Sequence, residues 1–380
     1  MFLPILLIAS VLYACDPPET PTLQGDDVVI NEGDATHVLL FPVSLNMAAD
    51  RTVEFEYTTT SLSAQADEDF TTVTGTAVIE KGSSQAVIEI PILGDTDEEQ
   101  AEQFWISYSN GENVNIPEPF NTVTLLNDDI STNDSGYTTP LSYPGYTLVW
   151  NDEFDGTSLD QSSWNYETGA GGWGNNESQY YRSGTNNAEV ANGKLTITAK
   201  EEAYSGAPYT SARITTMGKR EFQYGRIDIR AKLPYGQGIW PALWMLGANF
   251  PTTGWPSCGE TDIMELLGHE PNKMYSTAHW GVQGQNSIYS TGSYTLASGD
   301  FSQAFHVFTL KWEEDLLQFF VDDNLVHTIT KSNVGTATYR HNAPFFFIFN
   351  IAVGGTWPGY PDQTTVFPQR MTVDYIRVFQ

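Results

Sequence analysis

The stretch Gly259-Glu260-Thr261-Asp262-Ile263-Met264-Glu265 sets three carboxylates within six residues of an otherwise apolar run. Acids are seldom buried unless they are paired or have a chemical task. Read as a strand, the run alternates its side chains between faces, so Glu260 and Asp262 share one face. Strict alternation brings Met264 to that face next, yet the third acid is Glu265. One β-bulge at Ile263-Met264 returns Glu265 to the side of the other two. Two glutamates on one face with an aspartate between them suit a retaining glycosidase. One attacks, the other donates and recovers a proton, and the carboxyl groups sit about 5–5.5 Å apart. Stripped of its surroundings, the same pattern equally describes an acidic edge strand or a solvated face.

The surroundings supply more parts of a sugar cleft. Upstream runs Gly238-Ile239-Trp240-Pro241-Ala242-Leu243-Trp244-Met245-Leu246, and downstream His279-Trp280 adds an imidazole. Trp240 and Trp244 are four apart, which makes them same-face neighbours in a strand. Indole faces suit the apolar C–H faces of pyranose rings, although the spacing alone is as compatible with core positions.

Here the chain resembles the laminarinase-like branch of glycoside hydrolase family 16. The matching segments are Leu148–Phe154, Gly172-Trp173-Gly174-Asn175-Asn176-Glu177, Tyr224–Ile227, Gly236–Trp244, Glu260–Glu265 and Val373–Val378, in family order across about 145–380. Thr261 departs from the pattern, where an aliphatic residue is usual; its side chain is expected to face away from the carboxylates. The resemblance implies an all-β jelly-roll sandwich with a cleft on its concave sheet. It implies Glu260 as nucleophile and Glu265 as general acid/base, with Asp262 hydrogen-bonding the nucleophile. It also implies Trp244 beneath the sugar at the cleavage point, Trp240 one subsite away, and His279 in the cleft. Arg213, Asn175 and Trp357 are implied as further sugar contacts. His306, His327 and His341 are left as structural.

The implied activity is endo-acting hydrolysis of β-1,3-glucan by double displacement, with no cofactor for catalysis. A structural calcium ion is implied on the convex side, held by the Asp374 carboxylate and backbone oxygens near Glu153 and Gly193. Alternatives are a related hydrolase acting on mixed-linkage glucan, agar or carrageenan, and a glucan-binding protein without catalysis. The bulged E-x-D-x-x-E spacing argues against the mixed-linkage branch, whose motif resembles an unbulged E-x-D-x-E. The Trp-Pro-Ala-Leu-Trp segment argues against the agar and carrageenan branches. The presence of all three acids argues against loss of catalysis.

At 380 residues the chain is long enough for two domains. It carries 47 acids against 17 bases, for a net charge of −30. Such a surface repels nucleic acid and anionic membrane, which removes both as partners. Residues 1–15 read as a secretory segment too short to span a bilayer. Leu12-Tyr13-Ala14-Cys15 resembles a bacterial lipobox with Cys15 as the lipidated residue, although Met1-Phe2-Leu3-Pro4 lacks a basic residue. The expected location is therefore secreted, or the bacterial outer membrane or cell surface through a lipid anchor, as a monomer. With Cys15 lipidated, Cys258 has no disulfide partner and is read as packing.

Residues 16–23 form a Pro-rich tether. Residues 24–129 show short strands with alternation, such as Val53-Glu54-Phe55-Glu56-Tyr57, separated by turn signals. This segment resembles a Calx-β domain, an Ig-like sandwich, through Asn31–Asp34, Ala66–Phe70, Ile92–Thr96 and Leu125–Asp129. The resemblance makes Glu32, Asp67, Asp95, Asp97 and Asp129 candidates for calcium, with a plain solvated spacer as the alternative. Residues 130–144 are small and polar and read as a linker. The hydrolase-like region then occupies 145–380.

Overall fold

A computed structural model describes residues 19–95, 99, 101–127, 134–335 and 337–380. The lipobox with Cys15, the start of the tether, Asp97 and Asp129 lie outside the described residues. The chain divides into two compact units, Met1–Ser131 and Thr132–Gln380. Both are built from strands; helical structure among the described residues is limited to the single turns Phe250–Thr253 and Lys331–Val334.

The first unit pairs a three-stranded sheet with a five-stranded one. Val53–Ser61 begins buried–exposed–buried–exposed, the burial that its Val-Glu-Phe-Glu alternation dictates. Its inner face joins a core of Phe41, Phe55, Phe70 and Phe104, the last two stacked at 4.1 Å. The expected tether ends early. Leu23–Gln24 already pairs with Ser44 and Leu45, and the Thr22 amide donates to Asn46. At one end Glu32, Asp69 and Glu99 bring carboxylate oxygens within 4.8 Å of one another. Of the expected candidates this grouping contains Glu32, and it adds Asp69 and Glu99.

The second unit is a sandwich of a seven-stranded and a ten-stranded sheet. The seven-stranded sheet carries the acids. Its order begins Asn165–Glu167, Arg213–Thr215, Phe345–Val353, followed by the tryptophan strand Ile239–Gly247 and the acid strand Glu260–Leu266. The histidine strand Lys273–Trp280 and the edge strand Ile288–Thr295 complete it. Between the sheets lie Trp164, Ile227, Ile229, Phe308, Phe319, Phe347, Phe349 and Met371, all fully buried.

The segment expected as a linker, 130–144, departs from that reading from Asp134 onward. It is strapped across the ten-stranded sheet by side chains that would otherwise be buried without partners. Arg230, 2% exposed, donates to the carbonyls of Tyr137 (2.7 Å) and Asp134 (2.6 Å). Arg377 donates to the Thr139 carbonyl, the Thr139 amide donates to the Tyr375 hydroxyl, and Tyr143 donates to Asp228. Buried guanidiniums are tolerated only with such acceptors.

The carboxylates near the expected convex calcium are also committed. Strand pairing does bring residues flanking Glu153 and Gly193 alongside the strand that holds Asp374. However, Arg230 donates to Asp374 Oδ2 at 2.8 Å, and Arg377 grips both oxygens of Glu153 at 2.7 and 2.8 Å. A hard cation wants six or more oxygens free to converge. These ion pairs use Asp374 Oδ2 and the Glu153 side chain. The donors that the resemblance implies are the Asp374 carboxylate and backbone oxygens near Glu153 and Gly193, which the pairs leave outside apart from Oδ2.

Candidate active site

Gly259 starts the acid strand at φ 85°, a backbone region open to glycine, where a side chain would collide with Arg340 Cβ at 2.9 Å. Against the tryptophan strand, Leu246 pairs with Glu260, Met245 with Thr261 and Trp244 with Asp262, but Leu243 pairs with Met264. Ile263 is therefore the extra residue. The pairing with the histidine strand slips by one over the same interval, between Asp262 and Glu265. The bulge sends two successive side chains, Ile263 and Met264, into the core with Leu266. Glu260, Asp262 and Glu265 consequently share the opposite face. Thr261 points coreward and is 3.0 Å from His341 Nδ1, so this departure from the family pattern does not reach the carboxylates.

His279 pairs with Glu260 across the strands. Its Nδ1 faces the Ser287 hydroxyl at 2.9 Å. With that hydroxyl donating, Nε2 carries the hydrogen directed at the acids, 3.4 Å from Asp262 Oδ2 and 3.6 Å from Glu260 Oε1. Asp262 Oδ2 is buried and makes no aligned hydrogen bond. The direct bond expected from Asp262 to Glu260 is thus replaced by an imidazole lying against both. Trp240 Nε1 donates to Glu265 Oε1 at 3.1 Å.

Burial, and then the charge of Asp262, push both glutamates up to about 8. Burial pushes Asp262 up as well. Three desolvated acids this close cannot all ionise at neutral pH. What separates the glutamates is their company. Glu260 has the Nε2 of His279 at 3.6 Å and a hydrogen bond from Trp255, both favouring its anion. Glu265 has an indole donor but no imidazole within ion-pair distance among the described contacts. The imidazole and an indole donor lower Glu265 as well, so the closer approach of His279 Nε2 to Glu260 is what distinguishes the two.

Across the tryptophan strand lies a polar and aromatic floor. Trp244 Nε1 donates to Asn350 Oδ1 at 2.8 Å, and Asn350 Nδ2 donates to the Tyr181 hydroxyl at 3.1 Å. Tyr181 in turn donates to Glu177. Arg213 sits over Trp244 and Trp173, 4.8 and 4.9 Å from the ring centres, and is held by Glu167. Asn175 donates to Glu177 at 3.2 Å, and its carbonyl accepts from Thr356. Trp357 is exposed and packs edge-on against Trp240 and Tyr275 at 5.4 and 5.2 Å. Every expected cleft residue thus lies on or beside the acid-bearing face, in a continuous chain of contacts.

Cys258, buried with Leu246, Phe346 and Ile348, packs as expected; burial and then the charge of Glu260 push its thiol up to about 11. His306 pairs with Asp322, and His327 lies 2.9 Å from the Ser290 hydroxyl. Trp255, Tyr289, Glu177 and Asn350 were missed from sequence. Asn350 carried a legible signal, a lone amide in the apolar run Phe345-Phe346-Phe347-Ile348-Phe349-Asn350-Ile351.

Comparison with known proteins is consistent with this geometry. Residues 175–377 match Glycosyl hydrolases family 16, and residues 16–130 match the Calx-beta domain. A glucan endo-1,3-beta-glucosidase A1 of Niallia circulans is 37% identical over 300 residues, covering 73% of this chain but 43% of that protein. A beta-glucanase of Rhodothermus marinus is 41% identical over 62% of this chain and 86% of its own length. The laminarinase catalytic domain from Thermotoga maritima superposes with a TM-score of 0.58 at 49% identity, covering 62% of this chain and 98% of that domain.

Proposed function

The chain belongs to glycosyl hydrolases family 16, and from that premise we propose that it is a retaining endo-β-1,3-glucanase acting on laminarin-type glucans. The observation that carries the proposal is the bulge at Ile263, which gathers Glu260, Asp262 and Glu265 on one face between an indole floor and an imidazole. Glu260, favoured as the anion, attacks the anomeric carbon while Glu265 protonates the departing oxygen. Water then loses a proton to Glu265 as it displaces the ester, so configuration is retained. Asp262 contributes the nearby negative charge that keeps the proton on Glu265. Trp244 offers its face to the sugar at the cleavage point, with Arg213 and Asn175 beyond it.

The test is hydrolysis of laminarin by Glu260→Ala and Glu265→Ala. Each is expected to lose activity by about three orders of magnitude or more. On an aryl β-laminaribioside with a leaving group that needs no protonation, added azide should restore turnover in both, giving an α-glycosyl azide with Glu260→Ala and a β-glycosyl azide with Glu265→Ala. The reverse stereochemistry would exchange the two roles, and full activity in either variant would end the proposal. For the exported chain we propose a lipid anchor at Cys15, expected to be lost in Cys15→Ser with release from the membrane fraction.

A further inference from the structure

In the histidine strand Thr277 pairs with Asp262 and Tyr275 with Glu265, so Ser276 alone faces the two residues Ile263 and Met264 of the bulge. Met274, Ala278 and Trp280, which alternate with the cleft residues of this strand, belong to the core between the sheets. Ser276 shares their side and is 0% exposed. A hydroxyl in such a place is costly unless it is bonded, and an alanine would fill the position with no polar atom to satisfy. Its Oγ donates to the Ile263 carbonyl at 2.8 Å. Ile263 is the inserted residue, and an inserted residue is the one a ladder leaves without a regular partner. The only hydroxyl on the core side of this strand thus goes to the residue that the bulge displaces.

That bond bears on where the acids point. Alternation is strict on either side of an inserted residue, so displacing the insertion reverses the face of every residue it passes. Two positions later, it would turn Glu265 toward the core; two positions earlier, it would turn Asp262 there. Only the observed placement keeps all three carboxylates on one face. We propose that Ser276 is a positioning residue, whose hydroxyl pins the insertion at Ile263 and holds the Glu265 carboxyl where it can protonate the departing oxygen. The inference rests on the functional reading above, in which Glu265 is the acid/base. The Trp240 indole steadies that carboxyl from the neighbouring strand on one side. Ser276 steadies the backbone leading to it from the strand on the other.

The test compares Ser276→Ala with wild type and with Glu265→Ala on two substrates. Laminarin oligosaccharides have a sugar leaving group that needs a proton, whereas a dinitrophenyl β-laminaribioside has one that does not. The ratio kcat/KM reports the cleavage step, in which Glu265 acts as acid. Glu265→Ala should lose heavily on oligosaccharides and little on the aryl glycoside. Ser276→Ala should repeat that pattern at smaller size, about tenfold lower on oligosaccharides and within about twofold of wild type on the aryl glycoside. A hydroxyl that only packs the core would lower both alike, through the fraction of protein folded. Equal losses on the two substrates, or no loss on either, would therefore overturn the role of Ser276. Absence of laminarin hydrolysis by wild type, or a Glu265→Ala loss equal on both substrates, would instead sink the functional reading itself.

Discussion

Glu265 holds the proton that the proposed chemistry spends, and holding it has a consequence for stability. Its carboxyl is raised from its ordinary range to about 8, first by burial and then by Asp262. A group whose folded pKa is raised favours folding at pH below its unfolded value and loses that contribution as pH rises through the folded value. Wild type should therefore lose stability between about pH 4.5 and 8, and Glu265→Gln, which cannot ionise, should be spared that part of the loss. At pH 8.5 the variant is expected to melt higher than wild type by a few degrees, at about 2–4 °C per kcal/mol, with the difference closing toward pH 4.5. Thermal melts across that range would show it. A variant that melts lower than wild type at pH 8.5 would mean that the glutamate is not under the strain described. The residue scale was also where the sequence was most legible, because an acid in an apolar run announces itself. Glu260, Asp262 and Glu265 were visible for that reason, and Asn350 carried the same signal. Tyr289 and Trp255 did not, since aromatic residues are common in strands and turns, and only strand pairing for Tyr289 and the turn before the acid strand for Trp255 bring them to His279.

At the scale of elements, one extra residue decides whether the acids work together. Alternation slipped by one position predicted a bulge at Ile263-Met264, and the pairing with both neighbours identifies Ile263 as the inserted residue. Inserting one alanine between Met264 and Glu265 should shift Glu265 by one position and turn it toward the core while removing no acid. Activity on laminarin is expected to fall to the level of Glu265→Ala, and a fully active insertion variant would refute the geometric argument. The strap from Asp134 to Tyr143 was illegible for an equally physical reason. Its composition is that of a linker, and the partners that hold it, Arg230, Tyr375, Arg377 and Asp228, lie some 85 to 238 positions away. A chain beginning at 134 should keep full stability of the second unit. One beginning at 145 leaves buried guanidinium and carboxylate groups without their acceptors and donors, at roughly 1–3 kcal/mol each. Calorimetry should find the shorter chain lower in Tm by roughly 5–10 °C; equal Tm values would show that the strap contributes nothing.

Over the whole molecule, the two units have separate cores, the first built on Phe41, Phe55 and Phe104 and the second on residues such as Trp164 and Phe347. All of the cleft residues belong to the second. A chain of residues 134–380 should therefore retain the kcat/KM of the full chain on short laminarin oligosaccharides within about twofold, whereas a large loss would give the front unit a part in the chemistry. The all-β class and the division into two units were legible from alternation and turn spacing. Their exact edges were not, because Thr22–Gln24 and 134–143 are polar segments recruited by contacts distant in sequence. The central claim is that Glu260 forms a covalent sugar ester and Glu265 serves it as acid and then as base. Proton NMR of the reducing ends freshly released from laminarin tests this most directly. The account predicts that the β-anomer appears first and the α-anomer only later, by mutarotation. Initial release of the α-anomer would mean a single displacement by water, and the shared face of these three acids would need a different explanation.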